Sequence, residues 1–462
     1  MDLYQRVEQI LTALRPVFRR QATFQWFVLL LWGMLLADQA PAVTSYLNVL
    51  GLSESHYHRA LHWFHSRAWQ VGDLWQHWGE WLAAHRYTQR LQGQLVDVGD
   101  GIKVAKEGRK MPGVKRLHQE SPDVSKPEWI RGHYFGALAL LMGAGEALFA
   151  VPIAVQLQDG LAGVTTLTLV DQMAELCARL MAKGSYAVLD AYFAAAHVLK
   201  VFRQSKLHLI SRVRSTTVGY APFSPLPQRR PGRPRKWGSP VKLKPLFQQV
   251  ATVPSQTLSL YGQKVLVRYW SIQLCWDSPE HWVQFVLTQL PGGQQIILIT
   301  SDLTLSPQAV IEAYGWRFKI EVSFRTLIQV LGGFGYRFWL KSMPTAPRWP
   351  PNLNLADAPE AFRQQVARKV EAFERFVNLQ ALALGILQIL ALEPADAIWS
   401  QFPRWFRTLP QHGYPTELVV RLTLQHLAPR ILATSKPGLL LPKFLATLAP
   451  RAKPAQADRF AS

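Results

Sequence analysis

The chain has 462 residues, 49% of them hydrophobic, so it can bury a sizeable core and is excluded from the disordered class. Lys and Arg number 51 against 30 Asp and Glu, a formal net charge of +21 that points to a polyanionic partner, nucleic acid first and an anionic membrane surface second. The two cysteines, Cys177 and Cys275, exclude a disulfide framework and any cysteine-based zinc cluster and fit a reducing compartment.

No basic-then-apolar signal layout is expected at the N-terminus. Residues 1–90 are predicted to be mostly helical, with Val7, Ile10, Leu11 and Leu14 at helical spacing and Pro16 interrupting the pattern. The run Trp26–Ala37 is very apolar but too short to span a bilayer, which makes it a buried helix. AVTSYLNVLGLSESHYHRALHWFHSR reads as helix, Gly51 turn, Ser53 N-cap and helix, compatible with a helix-turn-helix DNA reader or a plain helical hairpin. His56, His58, His62 and His65 lack a carboxylate or thiolate to complete a metal set and read as surface or phosphate-contacting residues.

From Gln94 the texture changes. LVDVGDGIKV is a strand carrying Asp97 and Asp100, followed by a basic loop with Lys103, Lys106, Arg109, Lys110, Lys115 and Arg116. HYFGALALLMG and LFAVPIAVQL are further strands, Thr165–Lys183 a helix, YAVLDAYF a strand ending on Asp190, AAAHVLKVFRQ a helix and LHLISRV a strand. This mixed order implies a sheet with helices on its faces.

Residues 213–295 form a β-rich insertion. Its first part, APFSPLPQRRPGRPRKWGSPVKLKPLF, is stiffened by proline and carries Arg229, Arg230, Arg233, Arg235 and Lys236; it resembles an AT-hook and suits a narrow minor groove. Strands follow over Thr257–Thr300, with Trp270, Trp276 and Trp282 as core residues or as platforms for an extruded base. The stretch Ser306–Trp339 reads as one long amphipathic helix, in which Tyr314, Arg317 and Glu321 share a face. A proline-rich break over 344–360 precedes a strongly apolar packing helix, Ala361–Leu392, then shorter helices and a tail from Pro450 expected to be disordered.

Asp100 and Asp190 at strand ends and Glu321 on a helix can converge at one sheet edge, and three carboxylates are what two-metal phosphoryl transfer requires. Hard oxygen ligands favour Mg²⁺ or Mn²⁺, two ions in this scheme.

LVDVGDGIKVAKEGRKMPG, YAVLDAYFAAAHVL and YGWRFKIEVSFRTLIQVLG together resemble the DDE transposases of bacterial insertion sequences, in particular the subgroup with a Tyr–Arg–Glu–Lys signature. The resemblance covers roughly 90–340. It implies an α/β fold with an RNase H-like mixed sheet, interrupted by the insertion and flanked by helical regions. The implied division is a DNA-binding domain over 1–90, a catalytic core over 91–212 and 296–343, and a C-terminal helical region over 344–462.

Asp100, Asp190 and Glu321 would be the metal-binding catalytic acids, with Asp97 as the alternative first acid. Tyr314 and Arg317 would grip DNA phosphate, helped by Lys103, Lys106 and Arg325. The signature's lysine falls on Ile328, and Arg325 would replace that cation.

The implied activity is metal-dependent cleavage and transfer of double-stranded DNA, from element ends to a target, by a homodimer. A bacterial cytoplasmic, nucleoid-associated location and no membrane partner go with it. A silent DNA-binding derivative and a nuclease that never joins ends are the alternatives.

Overall fold

The structure is a computed structural model that describes residues 3–119, 127–163, 165–222, 238–260, 262–393, 395–405, 407, 413–433 and 439–448. Arg229, Arg230, Arg233, Arg235 and Lys236 of the AT-hook-like stretch lie outside the described residues, as does the tail from Pro450.

Five helices open the chain: α1 (Leu3–Ala13), α2 (Gln21–Leu36), α3 (Val43–Val49), α4 (Tyr57–His65) and α5 (Val71–Ala83). Gly51, at φ +67°, makes the expected turn between α3 and α4. Helix α2 is apolar all round and almost wholly buried, as a helix packed on every side must be.

The sheet begins with β1 (Arg90–Leu91), β2 (Gln94–Ala105), β3 (Lys115–His118), β4 (Trp129–Ala144), β5 (Ala147–Leu157) and β6 (Leu161–Ala162). Helix α6 (Leu169–Leu180) starts at a capping box, in which the Thr168 hydroxyl accepts from the Asp171 N–H and Asp171 accepts from the Thr168 N–H. Strand β7 (Tyr186–Leu189), helix α7 (Ala196–Ser205) and strand β8 (His208–Val213) complete the first half. All of β7 is buried, the pattern of a parallel strand covered on both faces.

Strand β4 runs antiparallel beside β2, β2 is parallel to β7, and β7 is parallel to β8, giving the order β5–β4–β2–β7–β8. This is the expected mixed α/β arrangement. Beyond β8 come β9 (Val218–Tyr220), β10 (Pro240–Lys242), α8 (Phe247–Thr252), β11 (Gln256–Leu260), β12 (Gln263–Trp276), β13 (Ser278–Gln289) and β14 (Gln295–Thr300). These strands extend the same sheet, because β14 pairs antiparallel with β8 and β13 and β12 follow in turn.

Helices α9 (Pro307–Trp316) and α10 (Phe318–Leu331) stand where one long helix is expected. The break falls at Arg317, whose N–H bonds the Tyr314 carbonyl three residues back while its own carbonyl accepts from Ile320, a tightened turn between two α segments. The helix ends at Leu331, well before Trp339, because Gly332 adopts a left-handed φ of 63°. Strand β15 (Leu353–Asn354) pairs with β6, and the C-terminal part adds α11 (Glu360–Leu392), α12 (Ala395–Gln401), α13 (Glu417–Ala433) and α14 (Leu440–Leu448).

Helix α11 is long and apolar enough to cross a membrane by length and composition, yet its apolar window is buried inside the protein. It packs on β5, where Asn378 takes N–H bonds from Trp75 (2.7 Å) and Val155 (2.9 Å) and returns one to the Val155 carbonyl (2.7 Å). The N- and C-terminal helices interleave: Glu8 accepts from the N–H of Leu441 at 3.0 Å, and Glu393 accepts from Arg6 at 2.6 Å. Each buried Leu or Phe in this shared core contributes about 1.5–3 kcal/mol, so the helical regions are held mainly by packing.

Candidate functional site

Side chains alternate faces along a strand, and on β2 this separates the two candidate aspartates. Gly99 shares a face with Asp97; a Cβ there would press on Leu189 and on Met173 of α6. Asp97 therefore points towards α6. It is 2% exposed, and its Oδ2 has no hydrogen-bond partner. Burial pushes its pKa up to about 8. Asp100 is on the opposite face, where β2 runs past the end of β7.

Asp190 follows the last residue of β7, and Asp100 stands one residue past the last pairing of parallel β2 with β7, in mid-strand and not at the end of its strand as expected. Ser211 on β8 sets the level of Asp190 by donating its hydroxyl to the carbonyls of Leu189 (2.9 Å) and Asp190 (3.1 Å). Glu321 comes from the first turn of α10. That helix is fixed from below. The Ser323 hydroxyl donates to the Ala150 carbonyl of β5 at 2.7 Å, and Gln388 of α11 donates to Ser323 at 3.2 Å. Gln380, also on α11, accepts from the Phe334 N–H at 2.9 Å and donates to the Gly332 carbonyl at 3.3 Å, holding the chain just after α10.

The three acids meet around Arg317. Its Nη1 donates to Asp100 Oδ2 at 3.0 Å and its Nη2 to Glu321 Oε1 at 2.7 Å, and its Nε stands 3.9 Å from Asp190 Oδ1. Burial pushes the Asp100 pKa up; Arg317 and the Gly101 N–H pull it back, Asp190 and Glu321 push it further, and it settles at about 6. Burial works against the charge of Arg317, but the three carboxylates outweigh it and hold the guanidinium above its ordinary value.

Among the described residues, no three His, Cys, Asp or Glu side chains close up as a ready metal site, since the guanidinium stands between these acids. The donor set nevertheless fits a divalent cation. Three carboxylates against one guanidinium leave two negative charges, all donors are hard oxygens, and the Asp190 and Glu321 side chains are 41% and 44% exposed.

The other expected contacts distribute differently. Tyr314 is half-buried one turn before Arg317. Arg325 and Ile328 continue the Glu321 face into solvent, so an exposed isoleucine stands where the sequence resemblance leads one to expect a lysine. Lys103 donates to the His118 carbonyl at 2.7 Å. Lys106 turns inward: its ammonium bonds the carbonyls of Phe334 and Tyr336 and lies 3.7 Å from the Tyr336 ring centroid. Burial, helped by Arg337, lowers its pKa to about 8.

His65 bonds Lys369 and is half-buried, while His58 and His62 are at the surface. Trp270 and Trp276 are half-buried, and Trp282 is exposed. Ser211, Ser323, Gln380 and Gln388 escaped the sequence reading; the two glutamines had a signal, being lone amides in the apolar run of α11.

The family described as DDE superfamily endonuclease matches residues 13–265 of this chain. No curated protein sequence matches it. Among solved structures, the chain is similar to the cryo-EM structure of the piggyBac transposase synaptic complex with hairpin DNA, at 12% identity and a TM-score of 0.38, over 98% of this chain and 83% of that one.

Proposed function

The chain belongs to the DDE superfamily endonucleases, and from that premise we propose that it is a transposase, binding double-stranded DNA at the ends of a mobile element and cutting and rejoining it. One observation carries this reading: Asp100, Asp190 and Glu321, from two strands and a distant helix, all face one guanidinium at a solvent-open sheet edge. The bacterial insertion-sequence assignment rests on the stretches around Asp100, Asp190 and Glu321, and the Tyr–Arg–Glu–Lys subgroup on Tyr314, Arg317 and Glu321, with Ile328 departing from the pattern. Two ends must meet for joining, so the acting form is a homodimer.

Asp100, Asp190 and Glu321 would hold Mg²⁺ or Mn²⁺, which when bound activates a water or a 3′-hydroxyl and stabilises the leaving oxygen. The chain's own part is placement and charge. Asp100 is held by the Gly101 N–H at 2.7 Å, Asp190 by the level at which Ser211 pins its backbone, and Glu321 by a helix anchored on β5. Arg317 offers a planar fork of donors next to the acids. Once its charge is no longer needed there, the same fork suits a DNA phosphate, and Tyr314 lies one turn away on the same side.

The test is a labelled duplex carrying an element end, incubated with Mg²⁺ or Mn²⁺. Nicked and joined products from the wild type, absent with Glu321→Gln, are expected. Cleavage without joining would leave a nuclease. The exposed Ile328 favours one second reading, a protein that binds ends without cutting, and DNA binding with no metal-dependent product would establish it.

A further inference from the structure

An alternating stack of rings and cations runs over the surface beyond the acids. The His118 ring lies 4.7 Å from the Trp129 ring, the Arg116 guanidinium 3.8 Å from the Trp129 centroid and 5.7 Å from that of Trp349, and Arg348 lies 5.7 Å from the other partner of the stack, Trp349. Arg116, His118, Arg348 and Trp349 are exposed. Among the described residues, neither Arg116 nor Arg348 has a carboxylate partner. Two described acids nearby are engaged elsewhere: Glu128 accepts from the Trp129 indole N–H and pairs with His118, and Asp159 pairs with Lys115.

The geometry points to a DNA phosphate-binding surface made by Arg116, stacked between Trp129 and Trp349, with Arg348 at its flank. This rests on the reading of the chain as a DNA-cutting enzyme and adds a contact outside the acid site. A guanidinium held by its faces keeps its in-plane N–H donors directed outward, which is the form that takes a phosphate bidentately.

The surface also lies where a strand leaving the acids would pass. Asp100 pairs with Ala137 and Arg116 with Arg131 across β4, so Asp100 and Arg116 share a face and stand about 20 Å apart along that strand and two strand spacings, about 10 Å, across it. The stack therefore stands about 22 Å from Asp100, about six phosphates along one strand of duplex. The two exposed guanidiniums of Arg116 and Arg348 match that partner in charge. The main-chain bond from Arg116 N–H to the Pro350 carbonyl, 3.0 Å, ties the segment bearing Arg348 and Trp349 to β3.

The experiment is duplex binding by the full chain over a salt series, with Arg116→Ala, Arg116→Lys and Trp349→Ala beside the wild type and thermal melting of each. Arg116→Ala should lower affinity about tenfold or more and reduce the salt slope by about one phosphate. Arg116→Lys should keep the slope yet lose affinity, since a lysine is a point charge without the fork. Trp349→Ala should keep the slope and weaken binding about threefold.

Wild-type affinity and slope for Arg116→Ala, or equal affinity for Arg116→Lys and the wild type, would overturn the assignment. So would a Trp349→Ala chain that melts earlier but binds DNA as before, because the stack would then be only a latch for residues 344–350. A wild type that binds no duplex removes this surface and the transposase reading together; an unaffected variant of a binding wild type removes this surface alone.

Discussion

Asp97 and Asp100 stand three residues apart on β2, and strand alternation sends them to opposite faces of the sheet. Asp97 has the larger pKa displacement, to about 8 against about 6 for Asp100. Yet among the described residues Asp97 has no ion-pair partner, and one of its oxygens is unbonded. Asp100 has a guanidinium at 3.0 Å and two more carboxylates around the same guanidinium. A perturbed carboxyl becomes a candidate site through its company; without it, burial is only a cost to the fold.

The largest effect that tests this contrast is on DNA cleavage. Asp100→Asn and Glu321→Gln should each reduce metal-dependent cleavage by more than about 100-fold, the upper end seen when mere outer-shell partners of a metal are lost. Asp97→Asn should cleave within a few-fold of wild type; a loss as deep as that of Asp100→Asn would break the comparison.

Stability against pH comes next. An acid whose pKa is raised on folding keeps its proton in the folded chain while the unfolded chain releases it. The stability is therefore full below the ordinary value of 3.8 and is lost as pH rises towards about 8. The loss assigned to Asp97 is on the order of 5 kcal/mol. Denaturant melts at pH 5 and pH 8 should show a clear fall for the wild type and a much smaller one for Asp97→Asn; equal falls would move the burden to other acids.

Arg317→Ala should lower the unfolding free energy by about 2 kcal/mol, less than for a fully buried pair because Asp190 and Glu321 are partly exposed. Added Mg²⁺ or Mn²⁺ should then raise the melting temperature of this variant more than that of the wild type, because the acids have lost their internal cation. The smallest effect is expected from Lys106→Met, a loss of about 1 kcal/mol from the contact with Tyr336 and its neighbouring carbonyls, with duplex affinity retained. A steep fall in affinity would restore Lys106 to the DNA surface.

Much of the fold was readable in advance because its strands are short apolar runs between turn residues. LVDVGDGIKV and LHLISRV appear as β2 and β8, YAVL of YAVLDAYF appears as β7 with Ala191–Phe193 turning as a 3-10 helix after it, and the apolar stretch before Leu392 appears as buried α11. The Glu321 helix was readable as a helix but not as two. Its end at Leu331 had a signal in Gly332, whereas the break at Arg317 had none, since residues from two distant strands hold that side chain. The anchors Ser211 and Ser323 were equally silent, because a serine announces its partner only once the backbone carbonyl beside it is known.

By itself the sequence determined the element types, the surplus of positive charge and three acids at ends and faces where they could meet, all of which follow from local periodicity and composition. Only the tertiary structure decided that Asp100 and not Asp97 joins Asp190 and Glu321, that β12, β13 and β14 extend the sheet beyond β8, and that Lys106 turns inward. These are choices of register and face. They are settled by which distant surfaces bury one another, and a one-residue slip would reverse each side chain's direction.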